Sequence, residues 1–219
     1  MTDLLGEIDD VLTAARENRE QRLVNAETVP TGIDAFDQPN GGLPAGSRNV
    51  ITTDTSAEHH RSGAVDTAVA EFVASAIDAG WAVSLSPTAT LDRALLSDAL
   101  ERVANVSLVD ALSSDRLFVL DLFGSWTYEE NVIDVTSQGL EEANATVDAR
   151  RERPLVIVGN IAGELDLMGE RAVRENTYEN DGDVLGDDDL VCNVIDEAVV
   201  PERLTSFYTG AADRHCRIE

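Results

Sequence analysis

Short apolar runs of strand length alternate along this chain with longer stretches whose apolar residues recur at helical spacing. Val50–Thr53, Trp81–Leu85, Leu117–Phe123 and Leu155–Val158 are β-branched or largely apolar and read as strands. The last is of the kind that parallel sheets bury on both faces. Val65, Val69, Phe72, Val73, Ala76 and Ile77 predict a helix over about 64–79 that Gly80 stops. Leu91, Ala94, Leu95, Ala99 and Val103 predict a second helix to about Val103, capped by Thr90. A longer helix is predicted over 130–150 despite Gly139. Leu190–Ile195 reads as a further strand, and Pro201 opens a short helix in its first turn.

The N-terminal pattern differs. Leu4, Leu5, Ile8, Val11, Leu12, Ala15 and Leu23 predict a helix over 3–24, with acids early and arginines late. It packs on its own domain or docks a second chain. The chain therefore divides into a helical segment, 1–27, and a core domain, 28–219, with an acidic loop over about 174–189. Alternation of strands and helices at this spacing predicts a doubly wound α/β sandwich.

The stretch Thr31–Thr67 organises the rest. TGIDAFD, then the turn Gly41-Gly42-Leu43-Pro44-Ala45-Gly46, a strand, a polar loop and a helix start follow in that order. "TGID.FD....GGLPAGS" with the following strand resembles the opening of RecA/KaiC-type (KaiC/GvpD-like) ATPase domains. The resemblance implies a RecA-like, P-loop-NTPase-type three-layer sandwich with a mostly parallel central sheet. By order of elements it spans roughly residues 28–165, but it is close in letters only over TGID…GGLPAGS.

The same resemblance implies chemistry that the residues do not supply. A phosphate-binding loop uses glycine backbone N–H groups to curl around phosphates and a lysine to reach their outer oxygens. The loop here, Thr53 to Thr67, has one glycine, Gly63, carries the acids Asp54 and Glu58, and is about six residues longer than the family's. The whole sequence contains no lysine. Arg61 precedes Gly63, and its planar fork replaces a point charge poorly. After the second strand the family carries an acid that polarises water; Ser84-Leu85-Ser86-Pro87-Thr88 has none. A later strand ends in a magnesium-holding aspartate, where Gly159 stands here, followed by Asn160. Asp121 belongs to an earlier strand.

These absences predict a regulatory or scaffold subunit rather than an ATPase, with no catalytic residues and no cofactor required. Its expected partner is another protein or a second copy, an active RecA/KaiC-like paralogue being the implied class. The alternative is a nucleotide-binding switch, holding ATP with magnesium through Ser62, Gly63, Asp66 and Thr67 at a helix start. Asp66 counts against it, by placing negative charge where phosphate would sit. An active DNA-recombination-type ATPase is the least expected reading, for want of lysine and of a basic surface. The sheet is also expected to be trimmed at one edge, leaving an edge strand or apolar patch to cover.

Composition narrows the setting. Acids number 42 against 16 basic residues, a net charge of -26. Concentrated salt screens such self-repulsion and low salt does not. Acid excess, arginine without lysine, and abundant Ala, Val, Asp and Thr resemble proteins of extremely halophilic archaea. Nucleic-acid binding needs a basic patch, and Arg150, Arg151 and Arg153 read instead as a solvated helix end. Direct nucleic-acid contact is not expected. Two cysteines, Cys192 and Cys216, build no disulfide framework. Glu58, His59 and His60 with Asp54 lack the spacing of a metal site, and His215-Cys216 forms no dyad. The run from Glu179 to Asp189 lacks the pattern of a calcium loop. With no N-terminal signal and no spanning apolar run, a cytoplasmic protein is expected.

Overall fold

The computed structural model describes residues 17–38, 40–56, 63–127, 129–179 and 185–219, without the side chains of 178 and 179. Of the predicted N-terminal helix, residues 17–25 are helical (α1); 3–16 lie outside the described residues. A two-stranded antiparallel ribbon, β1 (Thr28–Val29) with β2 (Leu43–Pro44), carries the entry turn. Within it α2 (Asp34–Asp37) is a single turn, and the Asp37 carboxylate accepts from Thr31 N (2.9 Å), Thr31 Oγ1 (2.7 Å) and Gly32 N (3.0 Å). That is why TGIDAFD folds back on itself.

The core is a seven-stranded sheet in which every pairing is parallel. Its strands are β3 (Arg48–Thr53), β4 (Ala82–Leu85), β5 (Leu117–Asp121), β6 (Val132–Asp134), β7 (Leu155–Asn160), β8 (Leu190–Asp196) and β9 (Arg214–Arg217). They lie in the order β6-β5-β4-β7-β8-β3-β9. One face is covered by α3 (Ala64–Asp78), α4 (Arg93–Ala99), its π-helical continuation Leu100–Ala104, and α5 (Leu108–Ser113). The other is covered by α6 (Val135–Gln138), α7 (Leu140–Arg150), α8 (Ile161–Glu179) and α9 (Glu202–Ala211). The expected three-layer sandwich is what forms.

The two faces differ in packing. Over the first, one continuous apolar cluster runs from Val29 through Phe72, Val83 and Leu96 to Val194. Over the second the core is split. One cluster gathers Leu120, Leu140 and Val147 under α6 and α7; the other gathers Val50, Ile161, Val173 and Tyr208 under α8 and α9.

Several boundaries differ from the sequence reading. The predicted helix over 130–150 is instead β6, α6 and α7. Val132 and Ile133 pair with Val119 and Leu120 at the sheet edge, Asp134 caps α6, and Gly139 (φ 85°, ψ 160°) breaks the chain before α7. Asp92, not Thr90, caps α4, accepting from Leu95 N at 2.8 Å. β5 stops before Phe123, because the Asp121 carboxylate accepts from Phe123, Ser125 and Trp126 N–H groups and turns the chain. α8, kinked at Gly169, runs to Glu179, so residues 174–179 of the predicted acidic loop are helical. The sheet also continues past β3: β9 covers that edge, and its Arg214 and Arg217 give it the charged character that discourages further pairing.

Candidate functional site

In open parallel sheets ligands bind beyond the carboxyl ends of the strands. Here that edge is occupied by the chain's own pairings. After β3, Asp54 Oδ1 accepts from Ser56 N (3.0 Å) and Ser56 Oγ (2.6 Å). Asp196, at the end of β8, accepts from Thr55 N (3.2 Å), Thr55 Oγ1 (2.7 Å) and Ala198 N (3.0 Å). Arg217 pairs with Glu197 at 2.9 Å and lies 3.8 Å from Asp54. Among the described residues, the Thr55 and Ser56 donors after β3 are thus engaged by carboxylates of the same chain.

Of the four residues singled out in the loop, Ser62 lies outside the described residues, as do Glu58, His59, His60 and Arg61. Gly63 precedes α3 in the left-handed region (φ 82°, ψ 3°) and offers no side-chain cap. Thr67 spends its hydroxyl on Gly63 O (2.8 Å), one turn back. Asp66 is buried and accepts a hydrogen bond from the Thr88 hydroxyl. Its carboxylate is thus turned inward, onto Thr88. It also brings a carboxylate to the end of β4, where the sequence of that strand has none. The clue was positional: Asp66 sits beside Val65, Val69 and Ala70 on the buried face of α3.

The end of β7 is also committed. Asn160 Nδ2 donates to Pro87 O (2.9 Å), and its Oδ1 accepts from Gly163 N (3.2 Å), tying β7 to β4. Gly159, read as a lost aspartate, has its own packing reason. A Cβ there would lie 2.5 Å from Asn193 Oδ1 on β8. Gly159→Asp will therefore not restore magnesium chemistry. It is expected to cost about 1–3 kcal/mol through overpacking, read as a lowered unfolding temperature, with no magnesium-dependent phosphate release.

Within the arginine cluster Arg151 is structural rather than solvated, whereas Arg153 is exposed. Arg151 is paired through Nη1 with both oxygens of buried Asp189, each at 2.6 Å, and with Asp148 at 2.8 Å. Arg150 pairs with Asp115 and Glu130, and Arg153 donates to Gly80 O. Among the described residues no group of three or more His, Cys, Asp or Glu side chains could hold a metal ion. Burial pushes the thiols of Cys192 and Cys216 up, and both are free. No helix among the described residues is long and apolar enough to cross a membrane.

Sequence reasoning missed a second feature. Where the core of the second face divides, a cavity of about 300 Å³ lies against the sheet. Leu120, Ile157, Val191 and Tyr208 contribute to its walls; Ser84, Ser86, Gly159, Asn193 and Glu164 line it too. Glu164, on the first turn of α8, has no hydrogen-bond or ion-pair partner among the described residues, and burial raises its carboxyl to about 7. The signal lay in the strand sequences: Ser84, Ser86, Gly159 and Asn193 interrupt otherwise apolar strands.

No family model matches the sequence, and no curated protein matches it. Among solved structures, it is similar to the flagellar accessory protein FlaH from Methanocaldococcus jannaschii, at 13% identity and TM-score 0.51, over 88% of this chain and 81% of that one. It is also similar to a KaiC-like protein from the hyperthermophilic archaeon Pyrococcus horikoshii, at 19% identity and TM-score 0.55, over 84% and 77%. The fold of this chain is RecA-like.

Proposed function

We propose that this RecA-like domain does not hydrolyse ATP and acts as a regulatory or scaffold subunit in the cytoplasm. Its partner would be another protein, a RecA/KaiC-like chain that keeps catalysis being the class favoured by the shared frame. One observation carries the reading: the backbone donors of Thr55 and Ser56, just after β3, are already bound by Asp196 and Asp54. An incoming triphosphate would have to displace two carboxylates and meet their charge, without a lysine to offset it. The ends of β4 and β7 point the same way, since Thr88 and Asn160 are engaged within the protein. One of the similar structures is by its name an accessory protein, a role of the same kind.

The test is ATP titration by calorimetry with magnesium in roughly 2–3 M potassium chloride, enough to screen the net charge. The expected result is neither heat nor thermal stabilisation with nucleotide at millimolar levels, and no phosphate release. Robust magnesium-dependent hydrolysis overturns the proposal. The second reading, a nucleotide-holding switch, is favoured by Gly63, which starts α3 without a side-chain cap, as an anion-holding helix start can. Micromolar affinity without turnover selects it, and Gly63 and Thr67 are then the first positions to change.

A further inference from the structure

Alternation along a strand sends every second side chain to the same face. On the central strands β4, β7 and β8, that rule collects Ser84, Ser86, Gly159 and Asn193 on the face covered by α7, α8 and α9. Gly159 pairs with Asn193 across the β7–β8 ladder, and Ser86 N donates to Val158 O at 2.8 Å, so these positions are neighbours. Glu164 reaches the same place from α8. A Cβ built on Gly159 would lie 2.5 Å from Asn193 Oδ1 and 3.5 Å from Glu164 Oε1, which puts both oxygens over one glycine.

None of the side chains of Ser84, Ser86, Asn193 and Glu164 makes a hydrogen bond to another described group, although Ser84, Ser86 and Glu164 are only 3%, 6% and 7% exposed. Buried polar side chains are rarely left so. All four border the cavity whose remaining walls are largely apolar. At the packing density of protein interiors, about 0.74, its roughly 300 Å³ takes on the order of a dozen non-hydrogen atoms.

We propose that this cavity is a binding site for a small primary amine with an apolar body, its ammonium held by Glu164, Asn193 Oδ1 and a hydroxyl of Ser84 or Ser86. An ammonium has three donors and no acceptor. It meets a carboxylate, a carbonyl oxygen and a hydroxyl, while the apolar walls take the hydrocarbon. The countercharge also removes the cost of an unpaired buried carboxylate. The proposal is independent of what the strand ends do with nucleotide.

Other charged groups around the cavity are occupied. Arg151 is paired with Asp189 and Asp148, Arg48 donates to the carbonyls of Ser47 and Asp189, and Arg19 pairs with Asp213. Tyr208 exchanges a hydrogen bond with Thr177 at 2.8 Å. No histidine lines the cavity among the described residues. Glu164, whose carboxyl sits at about 7, is thus the group there that changes charge between pH 6 and 8. Affinity for an ammonium is expected to rise about tenfold per pH unit below that value and to level off above it, since the amine binds the ionised form.

The experiment is calorimetric titration of the full chain with phenylbutylamine and with phenylbutanol, in molar potassium chloride, from pH 6 to 8.5. Saturable amine binding is expected, tighter than that of the alcohol by about 10- to 100-fold at pH 8, the usual range for a charge-assisted hydrogen bond. Glu164→Gln should erase both that preference and the pH dependence. Ile157→Phe, which narrows the cavity and leaves the carboxylate, should weaken amine and alcohol alike. The wild-type pH profile needs no variant. Equal affinity for amine and alcohol at pH 8, a flat profile, or no binding at millimolar amine overturns the proposal.

Discussion

Asp189→Ala will destabilise the protein by about 3–5 kcal/mol, the cost of removing one member of a buried ion pair. Asp189 immediately precedes β8 with its side chain 3% exposed, and Arg151 beside it is 15% exposed. Besides the two contacts from Arg151 Nη1, its carboxylate accepts from Leu155 N at 2.8 Å and Gly186 N at 2.7 Å. One side chain therefore fixes the end of α7, the start of β7 and the turn into β8. Alanine leaves Arg151 Nη1 and two backbone donors without this acceptor, with Asp148 still paired to the guanidinium. Asp189→Asn keeps the shape but loses the charge, so its loss should fall between parent and alanine. Denaturant unfolding in molar potassium chloride reads both. An alanine loss under about 1 kcal/mol would mean that water replaces these contacts without penalty.

Glu164→Gln is expected to act in the opposite direction, stabilising the ligand-free protein by about 3 kcal/mol at pH 8 and by under about 1 kcal/mol at pH 5. The sign follows from the direction of the shift. Burial raises the carboxyl from 4.5 to about 7, so the folded state holds this proton more tightly than the unfolded chain. Its ionisation therefore costs stability as pH rises through that range, and none of the cost is present below the unfolded value. Asp134, held low by the Ser137 hydroxyl, and Glu170, held low by Arg203, act the other way as pH falls. The informative quantity is thus the difference between variant and parent, measured by thermal unfolding at several pH values. A difference that does not change between pH 5 and 8 would show Glu164 to be solvated.

Both effects rest on side chains whose partners are distant in sequence, and this separates what was legible from what was not. β3, β4, β7 and β8 could be read because strands buried on both faces must be apolar in short runs. α3 could be read because its inward face repeats at helical spacing. β6 could not: three residues at a sheet edge carry too little apolar pattern to outweigh the helical reading of 130–150, and their assignment rests on pairing with β5. β9, whose residues alternate between half-buried and exposed, is likewise defined by its parallel pairing with β3.

The same division runs through the site. The absence of lysine, of an acid after β4 and of an aspartate at Gly159 is a matter of composition and order, and the sequence alone determined it. So did the sandwich, because periodicity is local and each residue carries its share of it. Only the tertiary structure decided that Asp66 turns to Thr88, that Asp196 binds the turn after β3, that Asn193 lies over Gly159, and that Glu164 is buried beside a cavity. Those are relations between residues far apart in the chain. What a carboxylate does depends on the dielectric and the donors around it, and both are set by residues that no local pattern connects to it.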